Sequence, residues 1–121
     1  MPKKDEHTDQ AEHNRAFWES YELDSTPYLD WVVIGIFYES VHWIEAYLDT
    51  KGEHSGGHPV RLQSIRRYRA DIGTIRSDYE VLKTESENAR YQCHKHSSNE
   101  ISEDMIPVLD NIKSTINSVL V

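Results

Sequence analysis

In the segment "ARYQCHKH", Ala89 to His96, one arginine and two histidines stand close enough to share a substrate: Arg90 is followed four positions later by His94 and six later by His96. A guanidinium binds a phosphate through two parallel hydrogen bonds, and an imidazole moves a proton near neutral pH. Arg90 and His96 therefore carry the equipment for phosphodiester cleavage without a metal, with the histidine as general acid or base and the arginine holding charge on the phosphorane. Cys93, between them, has electropositive neighbours but no third partner that would make it a nucleophile.

A second set lies in "FYESVHWIEAYL", Phe37 to Leu48. Tyr38, His42, Glu45 and Asp49 recur at i, i+4, i+7 and i+11, which places them along one face of an otherwise apolar helix. Buried polar groups need partners, and Arg61 and Arg90 are the candidates. Together Tyr38, His42, Glu45, His58, Arg61 and Tyr91 are expected to line a substrate-binding cleft beside Arg90 and His96. The plainer reading is a structural row of polar groups in a bundle core.

Four histidines, His54, His58, His94 and His96, fall in two loop-like stretches, and four imidazoles can close a tetrahedral zinc site. No cysteine pair or carboxylate motif accompanies them, so no metal and no cofactor is assigned. The chain has no glycine-rich phosphate loop, no Gly-x-Ser-x-Gly elbow and no His-Glu-x-x-His helix.

The elements that must position these residues are helices. The 121 residues suit one domain, and 37% hydrophobic and 28% charged residues with 5 Gly and 4 Pro suit an all-α fold. Residues 1–8 read as a flexible tail and 9–121 as a single helical-bundle domain. A first helix is expected from Asp9 to about Leu23. A second starts at a Ser25 or Thr26 cap with Pro27 in its first turn and runs to about Lys51, apolar nearly all round. "GEHSGG", Gly52 to Gly57, is a loop.

The third segment, Pro59 to about Gln92, carries Ile65, Ile72, Tyr79 and Ser86 at intervals of seven, interleaved with Tyr68, Ile75, Leu82 and Ala89. It is expected to kink or break between Ala70 and Gly73. A last helix, capped by Ser102 or Asp104 with Pro107 in its first turn, presents Leu109, Ile112 and Ile116. These elements predict a four- to five-helix bundle, mostly antiparallel because the connections are short.

The net charge of −8 opposes broad adhesion to nucleic acid or anionic lipid. A local site is still open, because Arg61, Arg66, Arg67, Arg69 and Arg76 cluster in a stretch whose first ten residues hold no acid. No apolar run is long enough for a bilayer, no signal peptide is evident, and a single cysteine gives no disulfide framework. The expected setting is cytoplasmic, with no membrane association. Three tryptophans and seven tyrosines exceed what so small a bundle readily buries, which predicts a homodimer.

"FYESVHWIEAYL", "HPVR" and "YEVLKTESENARY" together resemble the HEPN superfamily of small α-helical domains, over roughly Tyr28 to Tyr91. The resemblance implies a dimeric four-helix bundle and, in a large subset of members, a metal-independent ribonuclease of toxin–antitoxin or defence systems. Its usual signature is an arginine followed, after four to six residues, by a histidine, and Arg90 and His96 match that spacing. The small polar residue often found after the arginine is Tyr91 here, and the pair straddles the expected helix end. The same resemblance implies a rival reading: a non-catalytic interaction module, partner to a nucleotidyltransferase-like protein.

Overall fold

The computed structural model describes residues 1–120, and every regular element among them is helical. The order is α1 (Lys4–Glu19), α2 (Leu29–Thr50), α3 (His58–Arg67), the single turn α4 (Arg69–Ile72), a 3₁₀ turn (Gly73–Ile75), α5 (Arg76–Tyr91), a π-helical stretch (Glu100–Met105) and α6 (Ile106–Val119). No helix among the described residues is long and apolar enough to cross a membrane.

The bundle is built around α2, whose apolar side chains point in nearly every direction. Val33, Ile36, Phe37, Ile44, Ala46 and Leu48 are all fully buried, as expected of a helix covered on several sides. α1, α5 and α6 pack on it. Pairing fixes their directions. His7 meets His42 while Trp18 meets Gly35, so α1 runs antiparallel to α2. Tyr47 meets Asp71 while Tyr38 meets Arg90, so the chain from α4 through α5 also opposes α2. Glu12 and Arg15 reach Lys113 and Asp110 respectively, which sets α6 against α1.

The seven-residue stripe keeps one face through three separate helical pieces. Ile65, Ile72, Ile75, Tyr79, Leu82 and Ser86 are all buried, although the chain breaks at Tyr68 and again at Gly73–Ile75. The expected interruption is therefore present. A 3₁₀ turn advances the chain with a tighter winding than an α turn, so it redirects α5 while the apolar residues still face α2.

Three expected helix starts move, and the first helix ends at Glu19, short of the expected Leu23. The first helix begins at Lys4, inside the expected tail, because Glu6 Oε1 accepts the Lys3 N–H at 3.0 Å and Asp49 Oδ2 accepts the Lys4 N–H at 2.7 Å. These contacts satisfy amide groups that a helix start leaves unpaired. The second begins at Leu29, since Ser25 and Thr26 direct their amides to the Glu22 carbonyl and Thr26 Oγ1 accepts from the Tyr28 amide. That local turn outcompetes a helix cap at Thr26.

The last helical run is capped at Ser97 instead of Ser102 or Asp104. Ser97 Oγ accepts the Glu100 amide at 3.1 Å and Glu100 Oε1 accepts the Ser97 amide at 3.3 Å, a reciprocal capping box. The π turns then precede Pro107, which has no N–H to give to the ladder.

Candidate functional site

Tyr38 and Glu45 of α2 face a seam shared with α3 and α5. Its innermost member is Arg61, drawn into the bundle where the apolar stripe of α3 and α5 meets α2. Arg61 Nη1 donates to Tyr79 Oη at 2.9 Å and to His58 Nδ1 at 3.2 Å, while its Nε lies 3.5 Å from Glu45 Oε2. Tyr79 Oη is 2.8 Å from the same His58 nitrogen. Arginine can only donate, so His58 Nδ1 accepts and the tyrosine hydroxyl donates to it while accepting from Arg61. His58 is thereby held neutral. Burial, then the charges of Arg61, Lys83 and Arg90, lower its pKa.

Glu45 closes the inner end. It accepts from the Ser55 amide at 3.2 Å and the Ser55 hydroxyl at 2.9 Å, which ties the glycine-rich loop onto α2. The loop can fold back because α2 ends in a Schellman motif: Gly52, at φ 74°, gives its N–H to Asp49 and Glu53 gives its own to Leu48. On the far side of Glu45, His42 meets His7 of α1, Nδ1 to Nδ1 at 3.0 Å. Burial, aided by the neighbouring His7, lowers the His42 pKa to about 4.

The seam opens at Arg90. Phe37 connects the two ends: its ring lies 5.4 Å from that of His58, and the Arg90 guanidinium sits 6.0 Å above it. The guanidinium is also 5.9 Å from the Tyr38 ring and 4.9 Å from the Tyr91 ring. Its hydrogen bonds go to the Ser86 carbonyl and, at 3.5 and 3.3 Å, to the hydroxyls of Tyr38 and Tyr91; no carboxylate is among them. Tyr91 is 68% exposed and Tyr38 38%. Arg90 is thus a cation framed by aromatic rings at the edge of the bundle.

Tyr38, Glu45, His58, Arg61, Arg90 and Tyr91 are therefore brought into one connected row; the expected His42 turns instead to His7 of α1, and His96 is not among them either. His96 lies beyond the end of α5 with its side chain 1% exposed, and its Nε2 is 2.9 Å from Glu85 Oε1. It shares no hydrogen-bond partner with Arg90. The reason is the loop: the His94 amide turns back onto the Asn88 carbonyl and Cys93 adopts φ 53°, which swings the chain away from Arg90.

The expected basic patch also disperses. Arg61 is buried, Arg67 pairs with Glu53 and Arg76 with Glu80. The loop histidines do not converge either, because His54 approaches Asp49, His58 joins the seam, and only His94 and His96 stay together.

Four participants were missed in the sequence. Tyr79 and Ser55 carry no local signal beyond an apolar stripe and a glycine loop. Glu85 becomes a partner only through the return of the chain after α5. His7 had a signal: it stands four residues before Ala11, extending the buried side of α1, Ala11 and Trp18, back by one turn. The chain matches no family model, no curated protein and no solved structure.

Proposed function

We propose that this chain is an HEPN-like bundle that binds RNA or a nucleotide at the open end of the seam. The observation that carries the reading is Arg90, a guanidinium with no carboxylate partner set among Phe37, Tyr38 and Tyr91. Such a group keeps donors free for a phosphate, and exposed tyrosine faces stack on bases whatever their sequence. The binding surface is local, in keeping with the acidic balance of the whole chain.

Metal-independent ribonuclease activity is the narrower proposal. It assigns charge stabilisation to Arg90 and proton transfer to His96, and it requires His96 to leave Glu85 and approach the phosphate bound at Arg90. The test is titration of a labelled single-stranded RNA and of ATP in low salt with a chelator present, followed by fluorescence anisotropy and by gel. Binding that falls at least tenfold in Arg90→Ala and weakens in Tyr91→Ala is the expected result. Equal binding by wild type and Arg90→Ala would sink the site. Cleavage abolished by both Arg90→Ala and His96→Ala would establish the nuclease.

A second reading, the interaction module, is favoured by a different observation. Phe17, Trp31 and Tyr38 are exposed around a shallow cavity of about 420 Å³ on the α1–α2 face, an apolar surface suited to a second copy of the chain or to a toxin or antitoxin partner. Dimerisation without any RNA or nucleotide binding would favour it.

A further inference from the structure

We infer that Glu85, His94 and His96 form a zinc site at the C-terminal end of α5, separate from the Arg90 seam and an alternative to the use of His96 as the proton-transfer group there. One ligand atom from each residue lies within 4.8 Å of the others. Two imidazoles and a carboxylate are a donor set that suits Zn²⁺ and leaves a fourth position for water or a ligand. The sequence pattern lacks a carboxylate beside its His-x-His pair, and the fold supplies one from α5, nine residues before His94.

One observation beside the clustering of these residues points to a ligand at this place. His96 is almost wholly enclosed, yet its Nδ1 has no hydrogen-bond partner. Buried polar atoms are ordinarily paired, so a buried imidazole with one nitrogen on Glu85 and the other unsatisfied is not a settled core residue. The His94 ring stands edge-on to it with centroids 4.4 Å apart, and His94 Nε2 is 3.5 Å from Glu100 Oε2. Glu100 is placed to orient His94 from outside, as carboxylates commonly do for ligating histidines.

The fit requires little movement. Four-coordinate zinc, with bonds of about 2.0–2.1 Å, holds neighbouring ligand atoms about 3.3 Å apart, so closure draws the His94 loop in by on the order of 1 Å. The ion then takes the place of the Glu85–His96 hydrogen bond at His96 Nε2, and the imidazole proton passes to Nδ1. His94 and His96 also line a cavity of about 560 Å³, together with Tyr28, Asp30, Trp31 and Cys93. A small ligand in that cavity would lie beside the metal.

The experiment uses the full chain without a histidine tag, stripped with chelator and dialysed. Calorimetric titration with Zn²⁺ should give one equivalent, Co²⁺ should give the intense visible bands of a four-coordinate site, and the melting temperature should rise with added zinc. Glu85→Gln, His94→Ala and His96→Ala should each weaken zinc binding at least tenfold, and His13→Ala should not. His94→Ala, on the exposed side of the site, keeps the test valid if His96→Ala fails to fold. Absence of zinc binding by the folded wild type, or binding unchanged in both Glu85→Gln and His94→Ala, would overturn the assignment. RNA binding lost in Arg90→Ala with zinc retained would separate this site from the seam.

Discussion

The Nδ1 atoms of His7 and His42 face each other at 3.0 Å, so one imidazole donates the proton that the other accepts, and the pair cannot hold two protons without repulsion. Burial lowers both pKa values, that of His42 to about 4. An unfolded histidine takes up its proton near pH 6.5. Above that pH the contribution to stability is fully present; as pH falls from about 6.5 toward 4 the unfolded chain binds protons that the folded chain refuses, and stability is lost. Allowing for the partial exposure of His42, the loss is on the order of 1 kcal/mol. Urea unfolding at pH 7.5 and 5.0 should show it, and His42→Gln should flatten the difference. An identical pH profile in the variant would refute this assignment.

Glu39 is the second buried carboxylate of α2. It accepts from the indole N–H groups of Trp18 and Trp43 at 2.7 and 2.9 Å and from Arg15 Nε at 2.9 Å. Replacing it with alanine strands two indole donors and leaves the Arg15 guanidinium with Asp110 as its one carboxylate partner. Glu39→Ala should cost about 3–5 kcal/mol, in the range for breaking a buried ion pair. Glu39→Gln should cost less, since its amide oxygen still accepts. The denaturant midpoint measures both, and a midpoint shared with wild type in the alanine variant would refute the prediction.

Gly35 sets how closely α1 approaches α2. A Cβ at this position would lie 3.2 Å from Trp18 Cβ and 3.3 Å from a Phe17 ring carbon. Gly35→Val therefore pushes the helices apart, at a cost of about 1–3 kcal/mol. Gly35→Ala is closer to neutral because the gain in helix propensity, about 1 kcal/mol, offsets the crowding. Thermal melts of the two variants should rank in that order.

The homodimer proposal rests on the face that carries Phe17 and Trp31, which is 52% exposed. Light scattering at micromolar concentration should give twice the 14.1 kDa chain mass, and Trp31→Glu should return it to the monomer. A wild-type mass of 14.1 kDa would remove the proposal. A dimer unaffected by Trp31→Glu would move the interface elsewhere.

The helical architecture was legible because apolar periodicity is local. Ile65, Ile72, Tyr79 and Ser86 kept their common face even where the backbone did not remain one helix. The polar row of α2 was also legible, and both arginines expected to answer it do so, Arg61 at Glu45 and Arg90 at Tyr38. What spacing could not give was the direction of the chain after Tyr91. Arg90 and His96 are near in sequence, but the left-handed backbone at Cys93 and the Ser97 cap turn His96 toward Glu85. His7 was lost for the opposite reason: a polar stretch looked like tail, although tertiary contacts to His42 and Asp49 hold it in a helix.

The enclosure of α2 has a consequence during synthesis. Its apolar sides are covered by helices from both directions along the chain, and α6 begins at Ile106, 56 residues after α2 ends at Thr50. At about 5–20 residues per second, α2 waits on the order of 3–10 s after its own translation before its last cover emerges. During that interval α1, with Trp18 and Arg15 closing on Glu39, is the shield that has already left the ribosome. A nascent chain in which α1 docks poorly would present its most hydrophobic helix to chaperones and to other nascent chains.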